Sequence, residues 1–333
     1  MIFIVGNSRS GTTLLGRMLD NHSNVRTFEE LHFFEQMVDS KTIRERPNWP
    51  LDKRRQVIER LLTSADDNVF AKVKPGHFTA EAEEILNETR APDIVSAYAT
   101  MLDRITRRSG KTVPCEQTPR YLYVAEEILE AFPDAVMVCM VRDPRAVLAS
   151  QKNKWRRYRI ARDRMPLFWA LRAWVNYHPK TMALMWASAS RRARQLQKHP
   201  RAIVIQYEKL LSDPRSQLKA ICELAGIEFE EEMIQVALIG SSTAVDKPDQ
   251  LGVDASRVDA WRNGSLTPSE LAICEATTAK EMAYWGYTPV ARPMTAPVRV
   301  FHTVGFMVKS GTALLLNVRR FKNLRETIKR RLA

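Results

Sequence analysis

Cysteine is scarce in this chain of 333 residues: there are four, widely spaced, and no two form a Cys-x-x-Cys pair. This scarcity excludes a disulfide-rich scaffold and a cysteine-rich zinc site. Glycine is also scarce, with 12 residues, and the hydrophobic content is too high for a disordered or collagen-like chain. Because 45% of the residues are hydrophobic, the chain can bury a sizeable core. The cysteine usage predicts a reduced protein of the cytoplasm.

Signals of export and of membrane insertion are lacking as well. The chain starts with the strand-like run MIFIV rather than with a charged region followed by an apolar one, so no secretory leader is expected. The apolar runs at 300–308 and 312–318 are each much shorter than the ~20 residues that span a bilayer. No transmembrane helix is therefore predicted.

Acidic residues are outnumbered, 38 against 51 Lys and Arg, which gives a net charge of +13. The excess lies in residues 151–194, with a net charge of +11, and in residues 299–333, with +8. Such a balance predicts an anionic partner. Residues 155–164 interleave aromatics with arginines, and three interpretations stay open. The segment is a solvated face, a contact for an anionic acceptor, or a flank of a nucleotide cleft. Specific binding of nucleic acid is not expected, because no recognition module is present.

The C-terminal residues differ in composition from the rest of the chain. A proline-containing stretch at 289–297 precedes the basic and apolar end. We therefore predict one domain over residues 1–288 and a helical tail over residues 289–333. Two interpretations of the tail stay open. Either it associates peripherally with anionic lipid at the inner membrane surface, or its apolar face packs on the protein's own domain.

Apolar runs predict buried strands at 1–5, 135–141 and 202–207, with weaker candidates at 69–73 and 112–116. Runs without polar alternation are typical of parallel strands that are covered on both faces. Helical patterns separate the strands, at 12–20, 51–63, 78–89, 92–108, 121–131, 144–153, 166–197, 214–225 and 268–284. This alternation predicts a three-layer α/β fold with a central, mainly parallel sheet covered by helices.

A phosphate-binding loop (P-loop) is predicted between the first strand and the helix at 12–20. Gly6 and Gly11 border four residues, and two threonines open the helix. The backbone N–H groups of such a loop and the helix dipole attract an anion with several oxygens. ATP and GTP hydrolases have Lys where this chain has Thr12, and here the cation is Arg9, inside the loop. A magnesium-dependent kinase is therefore disfavoured, and no metal is expected.

A second basic site is predicted where the strand at 135–141 ends. Arg142 follows that strand directly, and Ser150 lies eight residues later on the next helix. Open α/β sheets bind their ligands at the carboxyl ends of the strands. A guanidinium and a hydroxyl at this place would bind a second phosphate. The alternative is that Arg142 is an ordinary ion-pair residue of the surface.

Together, the segments SRSGTTLL (8–15) and VRDPRAVLAS (141–150) resemble the sulfotransferase family, whose members transfer sulfuryl groups from 3′-phosphoadenosine-5′-phosphosulfate (PAPS). Weaker similarity at 207–214 and 259–270 extends the resemblance over about residues 1–288. The chain is more similar to tyrosylprotein, heparan N-sulfotransferase-like and bacterial members than to cytosolic aryl sulfotransferases. The resemblance implies a set of residues that bind the 5′-phosphosulfate: Arg9, Ser10, Gly11, Thr12 and Thr13. It likewise assigns Arg142 and Ser150 to the 3′-phosphate.

An acidic pair flanked by aromatic residues follows the first helix, in the segment TFEELHFF (27–34). Burial against aromatic rings would raise the pKa of a carboxyl toward the range of a general base. The resemblance implies that the second Glu of such a pair, twenty-one residues after the loop Arg, is the catalytic base, and this position is Glu30. Glu29 and His32 remain rivals. A further alternative is that Glu30 is only a carboxylate in the first turn of a helix.

One position departs from the family's pattern. Related sequences often have Lys before Thr-Pro or Asp-Pro, whereas this chain has Gln117 before Thr118 and Pro119. A neutral amide donates a hydrogen bond but supplies no charge, so stabilisation of the leaving phosphate would depend more on Arg9. Gln117 is therefore given no catalytic role.

The sequence thus predicts a PAPS-dependent sulfotransferase. Sulfuryl transfer to a hydroxyl or amine is expected to proceed in line, with Glu30 as general base and Arg9 stabilising negative charge. The product is adenosine 3′,5′-bisphosphate (PAP). Three classes of acceptor stay open: a carbohydrate, a lipid or a small molecule. The alternatives are a P-loop kinase and a non-catalytic protein that binds a nucleotide or a polyanion.

Overall fold

A parallel sheet of five strands forms the centre of the computed structural model, which describes residues 1–66, 73–153, 171, 174–238 and 247–317. The strands are β1 (Ile2–Gly6), β2 (Val25–Phe28), β3 (Val113–Gln117), β4 (Val136–Val141) and β5 (Ala202–Gln206). Their order is β2-β3-β1-β4-β5, and every neighbouring pair is parallel. The predicted α/β fold with a central parallel sheet is confirmed. A short antiparallel pair, β6 (Ala237–Leu238) and β7 (Lys247–Leu251), forms a separate sheet.

Four of these five strands coincide with predicted apolar runs, and β2 does not. It has four residues, lies at the edge of the sheet, and leaves its two central side chains half-buried. Its central residues, Arg26 and Thr27, are polar, so β2 lacks the apolar run that β5, the other edge strand, has. Most of the weak strand candidate at 69–73 lies outside the described residues.

Helices connect the strands. They are α1 (Thr12–Asp20), α2 (Ser40–Glu45), α3 (Leu51–Asp66), α4 (Thr79–Glu88), α5 (Ile94–Arg108), α6 (Ala125–Ala131), α7 (Pro144–Lys152), α8 (Pro179–Leu196), α9 (Tyr207–Ser212), α10 (Pro214–Ala225), α11 (Pro268–Trp285) and α12 (Ala296–Asn317). Several begin where a side chain accepts a backbone N–H bond: Asp93, Asp143 and Asp213 do so at α5, α7 and α10. Such caps satisfy donors that have no partner inside the helix.

Two predicted helices differ from the observed ones. The pattern at 121–131 is divided into a 3-10 turn, Pro119–Val124, and α6. The pattern at 166–197 is interrupted: positions 171, 174 and 175 are helical, residues 176–178 are not, and a separate helix begins at Pro179, where the ring nitrogen of His178 accepts the N–H of Lys180. The arginine-rich segment 155–164 lies outside the described residues. The unpredicted helices α2 and α9 have six residues each, too few to show a helical period.

Each face of the sheet has its own hydrophobic layer, because the side chains of β1 alternate between them. Phe3 and Val5 join a buried cluster with residues of α3, α4 and α5. Ile2 and Ile4 join a second cluster, on the other face, with residues of α1 and α10. Strands that are covered on both faces are what the continuous apolar runs predict.

The four cysteine thiols are buried and free. Three lie in these two layers, and Cys274 lies in a third cluster with residues of α7. Burial raises the pKa of each thiol, to about 12 for Cys115, Cys139 and Cys274 and to about 11 for Cys222. They are therefore protonated at neutral pH.

The C-terminal helix α12 contacts the segment before α8. Lys309 Nζ donates a hydrogen bond of 3.2 Å to the carbonyl oxygen of Tyr177 and lies 4.4 Å from the ring centre of Trp174. The ring of Phe306 lies 5.3 Å from that of His178. Among the described helices, none combines the length and the apolar character that crossing a bilayer requires.

Candidate active site

The loop between β1 and α1 bends through three residues with positive φ: Gly6 (+146°), Arg9 (+75°) and Gly11 (+94°). A Cβ at Gly6 would lie 2.4 Å from the carbonyl oxygen of Met140 on the neighbouring strand β4, so only glycine fits there. The loop is held by a backbone bond of 3.1 Å, in which the N–H of Ser10 donates to Asn7. This is the strand–loop–helix arrangement that the sequence predicts.

An aromatic ring fixes the second glycine of the loop. A Cβ at Gly11 would lie 2.3 Å from a ring carbon of Tyr207, the first residue of α9. The guanidinium of Arg142 lies 4.0 Å from the centre of the same ring. Tyr207 therefore contacts both the loop and the arginine at the end of β4.

Arg142 is buried, with 9% of its surface exposed, and the alternative of an ordinary surface ion-pair residue is wrong. Its two terminal nitrogens donate to the carbonyl oxygens of Arg9 (3.3 Å) and Arg257 (3.2 Å). Its Nε is buried and has no hydrogen-bond partner within the described parts of the chain. None of the ion pairs found among the described residues includes this guanidinium. A buried cation without a counter-ion favours an anionic ligand.

The two phosphate motifs lie side by side. Arg9 Nε donates a hydrogen bond of 2.8 Å to the Oγ of Ser150, on α7. The hydroxyl of Ser10 is buried, and the described residues offer it no hydrogen-bond partner. The structure thus brings Arg9, Ser10, Arg142 and Ser150 to one end of the sheet.

The threonines that open α1 differ in their surroundings. Thr12 is buried, and its Oγ1 accepts a hydrogen bond of 3.3 Å from Gln117 Nε2. Thr13 is exposed. Gln117 stands where related sequences often have Lys. It therefore contacts the start of α1 through an uncharged amide.

The expected desolvation of the acidic pair by its aromatic neighbours is wrong. Phe33 and Phe34 are buried in the core, where they pack against Tyr98. Glu30 keeps 44% of its side chain exposed. Glu29 is exposed as well. Phe28, Phe33 and Phe34 all belong to the hydrophobic layer on one face of the sheet, so their rings do not cover the acidic pair.

Glu30 instead belongs to a chain of charged side chains. His32 Nε2 donates to Glu30 over 3.1 Å, and His32 Nδ1 donates to Glu35 over 2.9 Å. Glu35 in turn pairs with Arg120. His32 is buried and has a positive φ of 55°. Glu30 is therefore held by the imidazole, and Glu29 has no such contact among the described residues.

The pKa values in this chain of contacts favour the charged forms. Burial acts to lower the pKa of His32, but its hydrogen bonds to Glu30 and Glu35 outweigh burial and raise it to about 9. Burial acts to raise the pKa of Glu35, but His32 and Arg120 lower it to about 2. At neutral pH, His32 is therefore an imidazolium between carboxylates.

A buried carboxyl group below this segment was missed by the sequence analysis. Glu116, near the end of β3, has its pKa raised to about 8 by burial. Its Oε1 accepts hydrogen bonds from the backbone N–H of Leu31 (3.1 Å) and from Thr118 Oγ1 (2.6 Å). Glu116 therefore fixes the backbone between Glu30 and His32.

Tyr207 and Trp186 were missed as well. Trp186 Nε1 donates a hydrogen bond of 2.8 Å to the carbonyl oxygen of Arg142. Tyr207 directly follows the apolar strand β5, as Arg142 directly follows β4, so the same signal could have pointed to it. Trp186 has no comparable signal, because it lies in the middle of α8.

Asp143, which follows Arg142, makes structural contacts. It caps α7 and pairs with Arg145 at 2.6 Å. Across the described ranges, no three His, Cys, Asp or Glu side chains are grouped as a metal site would require.

A glycine-bordered loop between a central parallel strand and a helix defines this chain as a P-loop α/β protein. Its family follows from comparison with known proteins. The family model described as "Sulfotransferase family" matches residues 2–231, and the chain belongs to this family of transferases. The resemblance inferred from the two motifs is confirmed.

Individual relatives are distant. The chain is 24% identical to a protein-tyrosine sulfotransferase of Drosophila melanogaster over 312 residues, which cover 88% of this chain and 52% of that protein. It is 24% identical to the nodulation protein NoeE of Sinorhizobium fredii, covering 84% of this chain and 62% of that protein. The chain thus spans only about half to two-thirds of these relatives' length.

Two solved structures share the fold. One is the sulfotransferase domain of the Synechococcus PCC 7002 olefin synthase, with a TM-score of 0.52 and 21% identity, covering 86% of this chain and 94% of that one. The other is the sulfotransferase domain from the curacin biosynthetic pathway, with a TM-score of 0.53 and 18% identity, covering 87% and 98%.

Proposed function

We propose that this protein transfers a sulfuryl group from PAPS to a hydroxyl or amine of an acceptor and releases PAP. The observation that supports this most directly is the contact between Arg9 and Ser150, which joins the two phosphate motifs. A nucleotide with phosphate groups at both its 5′ and 3′ positions would need two such motifs close together. Family membership supports PAPS as the donor.

The donor would be held by the loop and by the end of β4. Arg9, Ser10, Gly11, Thr12 and Thr13 would bind the 5′-phosphosulfate, and Arg142 and Ser150 the 3′-phosphate. Two buried groups without partners among the described residues, Ser10 Oγ and Arg142 Nε, support this assignment. Both are hydrogen-bond donors that an anion would satisfy.

In the proposed step, an acceptor oxygen or nitrogen forms a bond to sulfur while the bond between sulfur and the bridging phosphate oxygen breaks. The bonding electrons stay with the phosphate of PAP. Glu30 takes the proton of the acceptor, and its contact with His32 orients the carboxylate. Arg9 and the N–H groups of the loop stabilise the negative charge on the departing phosphate.

The test is the variant Glu30→Gln, with Glu29→Gln as the matched control. We expect Glu30→Gln to abolish transfer of sulfur-35 from labelled PAPS in a cell extract while PAP binding, measured by calorimetry, stays within about twofold. Glu29→Gln should retain transfer. Unchanged turnover in Glu30→Gln would remove Glu30 from this role.

The same assay separates the competing functions. Phosphate transfer from magnesium-ATP without sulfuryl transfer from PAPS would favour the P-loop kinase. PAP binding without any labelled product would favour a non-catalytic binding protein. Mass spectrometry of the labelled product would identify the acceptor, for which carbohydrate, lipid and small-molecule classes are open.

We also propose that the protein works in the cytoplasm. The support is its cysteine chemistry: all four thiols are free and buried, and none forms a disulfide. A reducing compartment keeps thiols in this state.

A further inference from the structure

Helix α12 presents its apolar side to solvent. Five apolar side chains are between 55% and 74% exposed: Val300, Phe301, Val304, Met307 and Val308. Their spacing of three and four residues places them on one side of the helix. We call these five residues the outer face. A monomeric protein rarely leaves such a contiguous apolar stripe open to water.

Contacts on the opposite side of the helix fix this orientation. Lys309 donates to the carbonyl oxygen of Tyr177 and stacks on Trp174. Phe306 lies beside His178 and within 5.0 Å of Lys180 Nζ. The helix is thus attached to the domain through a cation and one aromatic ring, and its more apolar side faces away from the domain. Among the described side chains of the tail, the more exposed apolar ones therefore lie on the side that faces solvent.

The charge of the surrounding sequence indicates what this face contacts. Residues 282–325 contain no Asp or Glu, but they contain seven Lys and Arg. Cations that flank an apolar helix face are typical of interfacial helices on anionic lipid. Each such cation near an anionic surface adds to the attraction, and the apolar face adds burial in the acyl boundary.

We propose that the outer face of α12 inserts into the headgroup region of an anionic bilayer and holds the protein at the membrane surface. Val300, Phe301 and Met307 enter the acyl boundary, and the positive charge of the acid-free sequence 282–325, apart from Lys309, attracts anionic headgroups. The helix lies in the plane of the interface and does not cross the bilayer. The proposal does not depend on sulfuryl transfer, because neither the site nor Glu30 takes part in it.

A second copy of the chain fits this face less well. Two copies that met through α12 would bring two acid-free, positively charged segments together, and like charges at an interface oppose association. An anionic bilayer instead satisfies the apolar face and the charge at once.

The test uses the full chain and sedimentation with phosphatidylcholine vesicles that contain or lack phosphatidylglycerol. We expect the protein to pellet with the phosphatidylglycerol vesicles, to stay in solution with phosphatidylcholine alone, and to be released by high salt. The variant Phe301→Ser/Met307→Ser should lower the partition coefficient about tenfold or more. The matched control is Leu51→Ser, which removes a similarly exposed leucine on α3 and should bind like the unmodified protein.

Three results would overturn the proposal. The first is no binding of the unmodified protein to phosphatidylglycerol vesicles. The second is equal binding by the unmodified protein and the double variant. The third is a dimer in light scattering that the double variant dissolves, without vesicle binding, which would make the outer face a self-association surface. An unchanged melting temperature of the variants would show that they fold.

Discussion

Arg9 Nε and Ser150 Oγ form a hydrogen bond of 2.8 Å although 141 residues separate them in the chain. The contact follows from the sheet: β1 and β4 are parallel neighbours, and Gly6 is in register with Met140. The loop after β1 and the helix after β4 therefore start at the same end of the sheet, where the strands have their carboxyl ends. Two motifs that are remote in sequence become one site through a single strand pairing.

This contact leads to a prediction for Ser150→Ala. If Ser150 binds the 3′-phosphate, loss of its hydroxyl should weaken PAP about tenfold or more, since a hydrogen bond to a charged group contributes ~1.5–3 kcal/mol. Binding of adenosine 5′-phosphate should change little. Calorimetry with both ligands measures the difference, with Ser212→Ala on the surface of α9 as the control. Equal losses for the two ligands would place the 3′-phosphate elsewhere.

Arg142→Ala should lower the affinity for PAP more than Ser150→Ala does, measured against adenosine 5′-phosphate in the same way. Arg142 is buried beside Tyr207 and has no carboxylate partner among the ion pairs of the described chain, so its charge is available to a ligand. We expect PAP affinity to fall on the order of a hundredfold. The exposed Arg262, which pairs with Asp259, supplies the control Arg262→Ala. A loss no greater for PAP than for adenosine 5′-phosphate would contradict the assignment.

Gly11→Ala should destabilise the protein through two separate effects. Its φ of +94° is strained for alanine, and the new Cβ would lie 2.3 Å from the ring of Tyr207. Gly226→Ala shares the positive φ but places its Cβ in open space, so it isolates the backbone effect. We expect Gly11→Ala to lower the free energy of unfolding by about 1–3 kcal/mol more than Gly226→Ala. Urea unfolding measures both, and equal losses would mean that the ring moves away freely.

His32 should make the stability of the protein depend on pH. Its pKa is raised from 6.5 to about 9 in the folded protein, so its stabilising contribution is fully present below pH 6.5 and is lost as pH rises through 9. Glu35, whose pKa is lowered to about 2, stays ionised across that window.

The variant His32→Gln tests this dependence. Relative to the unmodified protein, its free energy of unfolding should be lower at pH 6 by an amount on the order of 2 kcal/mol, and the difference should shrink toward pH 10. The exposed His77 supplies the control His77→Gln. A difference that stays constant from pH 6 to pH 10 would show that the imidazolium is not what holds the segment.

The sequence predicts the centre of the fold well and one of its two edge strands. Strands β1 and β4 are continuous apolar runs because helices cover both of their faces, and the edge strand β5 is an apolar run although four of its five residues are only half-buried. Strand β2 has one covered edge and four residues, and its two half-buried central side chains weaken the apolar signal. Local pattern therefore fails where tertiary contacts, rather than hydrophobic burial, define the strand.

The candidate site divides in the same way. Arg9, Arg142 and Ser150 follow from motifs with fixed spacing. Glu116 and Tyr207 do not, because their contacts depend on which strands and helices become neighbours. The predicted desolvation of Glu30 by its aromatic neighbours failed for a related reason. Adjacency in the sequence does not determine which way Phe33 and Phe34 face.

The four thiols are protonated in the folded protein, so they are unreactive toward alkylating reagents. Cys115 lies on β3 and Cys139 on β4, the two strands that flank β1. Cys222 lies on α10 and Cys274 on α11. An alkylating reagent reacts with thiolate, so each site gains its label only when its own region opens to water. Mass spectrometry of timed labelling would therefore rank how often the strands and the two helices unfold, without adding any reporter group.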